Sequence, residues 1–141
     1  MPARIAEATW EGTLNEGNGS MKVGSGAFDG PFTFKSRFED APMTNPEELL
    51  GAAHAGCFTM ALGARLGRGG FTVKRIHTTA HVHLEKGESG FAISRIDLVT
   101  EGEVEGIDQA AFKEHAEATK DTCIVSKALS AVPMTIQATL K

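Results

Sequence analysis

Between Leu49 and Leu62 every residue is apolar or small except His54 and Thr59, so a helix built from this run has no solvated face. Such a helix has to be enclosed, and that requirement constrains the rest of the fold. Its start is legible. Pro46 suits a first helical position, where its missing N–H costs nothing, and Asn45 before it is a favoured N-cap. Glu48 stands three residues after the cap, where a carboxylate can fold back onto the cap's own N–H, leaving Glu47 free for other work. Gly67, Gly69 and Gly70 mark the end. Fourteen residues are too few to span a bilayer. Gly51, Ala52, Ala53, Ala55 and Gly56 would let another backbone approach closely, and one sheet face cannot cover the whole helix. The run therefore predicts a dimer in which two such helices pair between sheets, with Cys57 inside that contact.

A chain of 141 residues reads as one domain spanning 1–141, long enough to bury about two-thirds of its unfolded surface without disulfide staples. Two cysteines and no N-terminal apolar signal region point to a soluble, cytoplasmic protein in a reducing compartment, with no membrane association. A net charge of −4 and no run of Lys and Arg argue against nucleic acid as a partner.

The flanking segments alternate as strands do. Residues 4–11 and 20–24, separated by the Asn15-Glu16-Gly17-Asn18-Gly19 turn, predict an antiparallel hairpin. Phe32, Phe34, Ser36 and Phe38 share one face of a next strand, which would leave Arg37 on the opposite face. Residues 72–85 alternate for longest, and 91–104 switch their apolar set from odd positions (Phe91, Ile93) to even ones (Ile96, Leu98), as a bulge requires. Asp108 should cap a helix to about Lys120, Asp121 or Thr122 a short helix carrying Cys123, and residues 132–140 should return as a strand. The order is that of an α+β fold with a mostly antiparallel sheet.

Cys57 reads either as an inert core cysteine or as a thiolate, and a thiolate in apolar surroundings needs a nearby cation, since desolvation otherwise raises its pKa. Arg37 is the candidate cation, against the plainer reading of a solvated strand residue. Glu47 lies ten helical residues before Cys57, roughly 15 Å along the axis. It can serve that cysteine only from a second copy packed antiparallel, if it is more than a first-turn carboxylate on the helix dipole. Cys123, at a helix start, would have its thiolate favoured by the dipole, or is a small buried hydrophobe. The two cysteines fit neither a zinc site nor a CxxC exchange motif, but they fit an attacking and a resolving thiol. His77, His81 and His83 share a strand face without a carboxylate at matching spacing, so no metal is expected, and His54 reads as a hydrogen-bonded core residue. No phosphate-cradling glycine motif appears, so no cofactor is expected either.

The stretch Thr44-Asn45-Pro46-Glu47-Glu48-Leu49-Leu50-Gly51-Ala52-Ala53-His54-Ala55-Gly56-Cys57-Phe58-Thr59-Met60-Ala61-Leu62 resembles the signature of the osmotically inducible protein C (OsmC) family. Trp10-Glu11-Gly12, Ser36-Arg37-Phe38-Glu39 and Cys123-Ile124-Val125-Ser126 also sit where that family has them, so the resemblance covers nearly the whole chain. Ser-Arg-Phe-Glu places it nearer the OsmC branch than the organic hydroperoxide resistance branch.

The resemblance implies an OsmC-like fold, mostly antiparallel sheets wrapped around two central helices in an intertwined homodimer. It also implies a thiol peroxidase acting on organic hydroperoxides, and less well on hydrogen peroxide, in oxidative or osmotic stress defence. By position, Cys57 matches the peroxidatic cysteine and Cys123 the resolving one, the two forming a disulfide after turnover. Arg37 matches the guanidinium beside the thiolate, and Glu47 the acid that orients it, here expected from the partner copy. An external dithiol would regenerate the thiols, either a small molecule or a lipoylated or thioredoxin-type protein. Phe38, Phe58 and Met43 are expected to favour bulky peroxides. Ile124 departs from the family, which usually has Pro after the second cysteine, and this bears on the speed of resolution. The rival reading is a non-catalytic dimer binding a hydrophobic ligand between its helices. A peroxide sensor would need an output partner, and no DNA-binding element appears.

Overall fold

In the computed structural model, which describes residues 1–141, the N-terminal alternation becomes the expected hairpin. Strand β1 (Ala6–Glu11) pairs antiparallel with β2 (Asn18–Val23), and β3 (Asp29–Phe32) adds antiparallel to β2. Trp10, Gly19 and Phe32 fall in one cross-strand file. A Cβ on Gly19 would lie 2.7 Å from both rings, so glycine is what lets Trp10 and Phe32 meet across the middle strand, centroids 5.3 Å apart.

The strand expected to run through Phe38 stops at Phe32. Thr33 caps a five-residue helix, α1 (Phe34–Phe38): Ser36 N–H donates to Thr33 Oγ1 at 3.2 Å and Thr33 N–H to Ser36 Oγ at 2.9 Å, satisfying two otherwise orphaned donors. Phe34 and Phe38, one turn apart, then stack at 4.9 Å. Arg37 is thus a helix residue among aromatics rather than the outward face of a strand. Ser36 Oγ also donates to the Thr44 carbonyl at 2.8 Å, and Asn45 Nδ2 to the Ser36 carbonyl at 3.0 Å, tying α1 to the start of α2 (Pro46–Arg68). Asn45 Oδ1 caps that start by accepting the Glu48 N–H at 2.8 Å. These elements belong to the first of two compact units, Met1–Leu49; the second is Leu50–Lys141.

In the second unit Gly51, His54, Phe58, Leu62 and Leu66 form the buried stripe of α2. Gly51 comes so close to β4 (Thr72–Gly87) that a Cβ there would stand 3.2 Å from Val82 Cγ2. Thr59 Oγ1 donates to Thr78 Oγ1 at 2.8 Å, and Thr78 bonds Thr100 of β5 (Gly90–Glu105) at 3.0 Å. The opposite side of α2, with Ala52, Ala53, Gly56 and Met60, is exposed. Enclosure on every side is therefore not met within one chain, because the sheet covers one stripe and the outer residues are too small to be covered by their neighbours. The helix runs 23 residues, from the expected start at Pro46 to Arg68 among the glycines expected to end it; it is long and apolar enough to cross a membrane by length and composition, although its inner stripe is that of a core helix.

Strands β4 and β5 form the long antiparallel hairpin, and the predicted bulge is present. His83 pairs with Arg95 and Leu84 with Ile93, so Ser94 is the extra residue that moves the apolar set to even positions. Ile96, Leu98 and Thr100 then face the core together with Gly102. Helix α3 (Gln109–Thr119) starts where expected, Asp108 accepting the Ala111 N–H at 2.8 Å. It seats Phe112 over Gly102, whose ideal Cβ would be 2.5 Å from the ring. Strand β6 (Met134–Leu140) joins β5 in parallel, which makes this second three-stranded sheet mixed. The short helix α4 (Ile124–Ala128) begins later than expected. Turns continue past α3, with Cys123 N–H bonding the Thr119 carbonyl at 2.8 Å, so Cys123 itself is the N-cap rather than Asp121 or Thr122.

Candidate active site

The second unit brings Cys57 and Cys123 together, both as free thiols. Cys57 lies one turn after His54 on α2 and is half-buried; Cys123 is fully buried at the start of α4. Burial pushes the Cys57 thiol up. The backbone N–H of Val125, the side chain of Cys123 and the backbone N–H of Ile124 act against it, and the net result is a pKa below the ordinary cysteine value. Sulfur at Cys57 thus faces the open N–H groups of a helix start, where negative charge is favoured. Cys123 Sγ accepts the Ser126 N–H of the same turn at 3.4 Å, a sulfur in the role usually filled by a hydroxyl.

The sequence holds no letter for these backbone donors, which is why it points to Arg37 alone as the partner of the thiolate. Ile124 occupies the first position of α4 and is one of the two amide donors. A proline there would have no N–H, so the departure from the family pattern bears on Cys57 itself as well as on resolution.

In the first unit Arg37 and Glu47 form an ion pair within one chain. Arg37 Nε and Nη2 both donate to Glu47 Oε1, at 3.0 and 2.9 Å. Expectation had Glu47 reach Arg37 from a partner copy. The correction follows from α1, which turns Arg37 back toward the N-terminal end of α2. The Glu47 side chain is 9% exposed and its Oε2 is buried without a partner, so the guanidinium is what makes burial of this carboxylate tolerable. Arg37 also lies over the Phe38 ring, 5.4 Å from the centroid. It lines a cavity of about 500 Å³ together with Trp10, Leu14, Phe32, Phe34 and Phe38. Of the residues expected to set substrate polarity, Phe38 lines this cavity, whereas Phe58 is wholly buried in the core of the second unit. Trp10, Phe32 and Phe34 were missed. The Thr33-x-x-Ser36 spacing was the signal for the turn that gathers them.

His54 is a core histidine as expected, fully buried and bonded through Nε2 to Ser126 Oγ at 2.7 Å. On the sheet, a carboxylate does face the histidines. Asp97 pairs across from His81, bonds His83 Nε2 at 2.8 Å and Arg95 Nε at 2.9 Å, and accepts the Thr135 hydroxyl. Its pKa falls to about 2, the Thr135 bond being the largest cause. His77, further along β4, pairs across from Glu101 and has its Nε2 3.4 Å from Thr79 Oγ1.

Two adjacent thiols, one drawn toward thiolate by backbone donors, define a thiol-redox protein on an α+β scaffold. The family model for OsmC-like proteins matches residues 39–137, and the chain belongs to the OsmC family. It is 47% identical over 126 residues to Peroxiredoxin OsmC of Escherichia coli (strain K12), covering 89% of this chain and 88% of that one, and it is a thiol peroxidase. Among solved structures, the organic hydroperoxide resistance protein OhrB of Bacillus subtilis superposes with a TM-score of 0.74 at 25% identity, over 97% of this chain and 98% of that one. One from Elizabethkingia anophelis has a TM-score of 0.75 at 20% identity over 99% and 97%, which shows the shared fold.

Proposed function

We propose that this chain reduces organic hydroperoxides to alcohols through Cys57, with Cys123 as the resolving thiol. The single observation that supports this most is the setting of Cys57 beside Cys123 and the start of α4, where the Val125 and Ile124 amides and the Cys123 side chain hold its pKa below the ordinary cysteine value against the upward push of burial. The Cys57 thiolate attacks the distal peroxide oxygen, the O–O bond breaks, and the alkoxide leaves with a proton as the alcohol. Two electrons come from sulfur, leaving a sulfenic acid at Cys57. The Cys123 thiol displaces its hydroxyl as water, forming a Cys57–Cys123 disulfide, and an external dithiol, small molecule or lipoylated or thioredoxin-type protein, restores both thiols while becoming a disulfide. No bound cofactor or metal takes part in this scheme.

Arg37 would stabilise charge on the leaving oxygen, held in place by Glu47. The aromatic cavity beside it has a volume ordinary for small-molecule sites and suits an apolar substituent better than hydrogen peroxide. Ten helical residues separate Glu47 from Cys57 on α2, so the Arg37–Glu47 pair of one protomer would serve Cys57 of its partner. A second copy would also cover the exposed small-residue side of α2. In this reading residues 1–141 are one OsmC-like domain completed by a homodimer, working in the cytoplasm in stress defence.

Mass spectrometry of thiol state before and after one equivalent of cumene hydroperoxide tests the scheme. Both thiols should be lost to one intramolecular disulfide. Cys57→Ser should consume no peroxide, and Cys123→Ser should stop after about one turnover at sulfenic acid. Two intact thiols after peroxide would favour a binding protein instead, and full activity in Cys57→Ser would sink the scheme.

A further inference from the structure

Helices α2 and α4 meet through two rungs. On α2, His54 and Cys57 stand three residues apart and so share a face; on α4, the cap Cys123 and Ser126 are likewise three apart. One rung is Cys57 with Cys123 and the other is His54 with Ser126. The thiol rung must break and re-form its geometry in each cycle. The histidine rung need not. Its bond is short, 2.7 Å, and joins residues 72 apart in sequence, with His54 wholly buried and Ser126 almost so, at the wall of a surface cavity.

His54 does not look like a residue chosen for packing. Its Nδ1 is buried with no partner, a desolvation cost that an apolar side chain of similar size would avoid. Something must offset that cost, and the hydrogen bond to Ser126 is the interaction an apolar side chain at 54 could not make. Ser126 is also the residue whose N–H holds Cys123 Sγ, so its side chain grips α2 while its backbone grips the resolving sulfur.

We propose that the His54–Ser126 bond is a positioning clamp that sets the register of α4 on α2, keeping Cys123 in line with Cys57 for disulfide formation. It rests on the two-thiol reading above and adds a residue pair to it. Neither His54 nor Ser126 touches the peroxide in this role. They act through the helix that carries the second thiol.

The test is the rate at which Cys57 sulfenic acid is converted to disulfide. One equivalent of cumene hydroperoxide is mixed rapidly with the full-length protein, and the sulfenic acid is trapped with dimedone at successive times. Ser126→Ala deletes one hydroxyl and leaves the N–H on Cys123, so it should fold. It should lengthen the sulfenic acid lifetime about threefold to tenfold, the range a lost hydrogen bond supports. His54→Leu should do the same. His54→Gln, whose amide can still reach Ser126, should restore most of the rate. A purely structural role would lower the melting temperature in these variants without moving the sulfenic acid lifetime. Wild-type speed of disulfide formation in folded Ser126→Ala overturns the clamp while leaving the two-thiol mechanism standing. Absence of any disulfide in the wild-type chain defeats that mechanism instead.

Discussion

The two units hold their reactive groups by opposite means. In Met1–Leu49 a charge is held by a charge: Arg37 sits on Glu47, and the pair is open on the guanidinium side, where the side chain is 39% exposed. In Leu50–Lys141 a sulfur is held by neutral backbone, with burial working against it and two amides and a second thiol working for it. Ion pairing tolerates solvent and can be mobile, whereas amides at a helix start donate only in one fixed direction. The lowered pKa of Cys57 is therefore built into the unit that carries it, and the proposed role of Arg37 is on the leaving oxygen rather than on the thiol.

The largest expected effect separates those two contributions. Arg37→Ala should lower kcat/KM for cumene hydroperoxide about a hundredfold, the scale of losing a charge-stabilising donor in a transition state. Thiolate absorbance at 240 nm should still place the Cys57 pKa below the ordinary cysteine value. If that pKa returns to the ordinary value in Arg37→Ala, the contrast between the units fails. Ile124→Pro tests the other side. Proline suits the first helical position, so α4 should persist, but one donor to Cys57 is gone. The pKa should rise and the rate at neutral pH should fall several-fold, read by the same absorbance titration. Glu47→Gln keeps an oxygen where Oε1 stands and removes the charge, so a loss of about tenfold or less is expected, smaller than for Glu47→Ala.

The smallest effect is on stability. Burial holds the His54 pKa below the usual imidazole value, so as pH falls below about 6.5 the unfolded chain takes up a proton that the folded chain refuses. Stability present at pH 7 should decline toward pH 5, seen as a lower urea midpoint. His54→Gln should flatten that decline, and an equal slope in both proteins would assign it to other groups. Asp97, with its pKa near 2, releases its share only at lower pH.

Much of this was legible beforehand, for reasons that differ by residue. The cap at Asn45, the bulge at Ser94 and the start of α3 at Asp108 are local events, and local spacing carries them. The segment 32–38 misled because Phe34 and Phe38 are two strand repeats apart and also one helical turn apart. In five residues the two periods cannot be separated, and the Thr33–Ser36 capping box decides. The two cysteines proposed to react stand out in the sequence by their rarity and by family resemblance. Their donors were not, since Ile124 and Val125 act through backbone groups that every sequence possesses and only geometry aims.

Glycine 102 has a consequence for how this protein can vary. The ring of Phe112 occupies the space that a side chain at 102 would fill, so the two positions share one volume. Gly102→Ala requires the Phe112 ring to shift, whereas paired with Phe112→Leu the added methyl is expected to fit. Sequence drift at that spot is a trade between a strand and a helix, made in cubic ångströms.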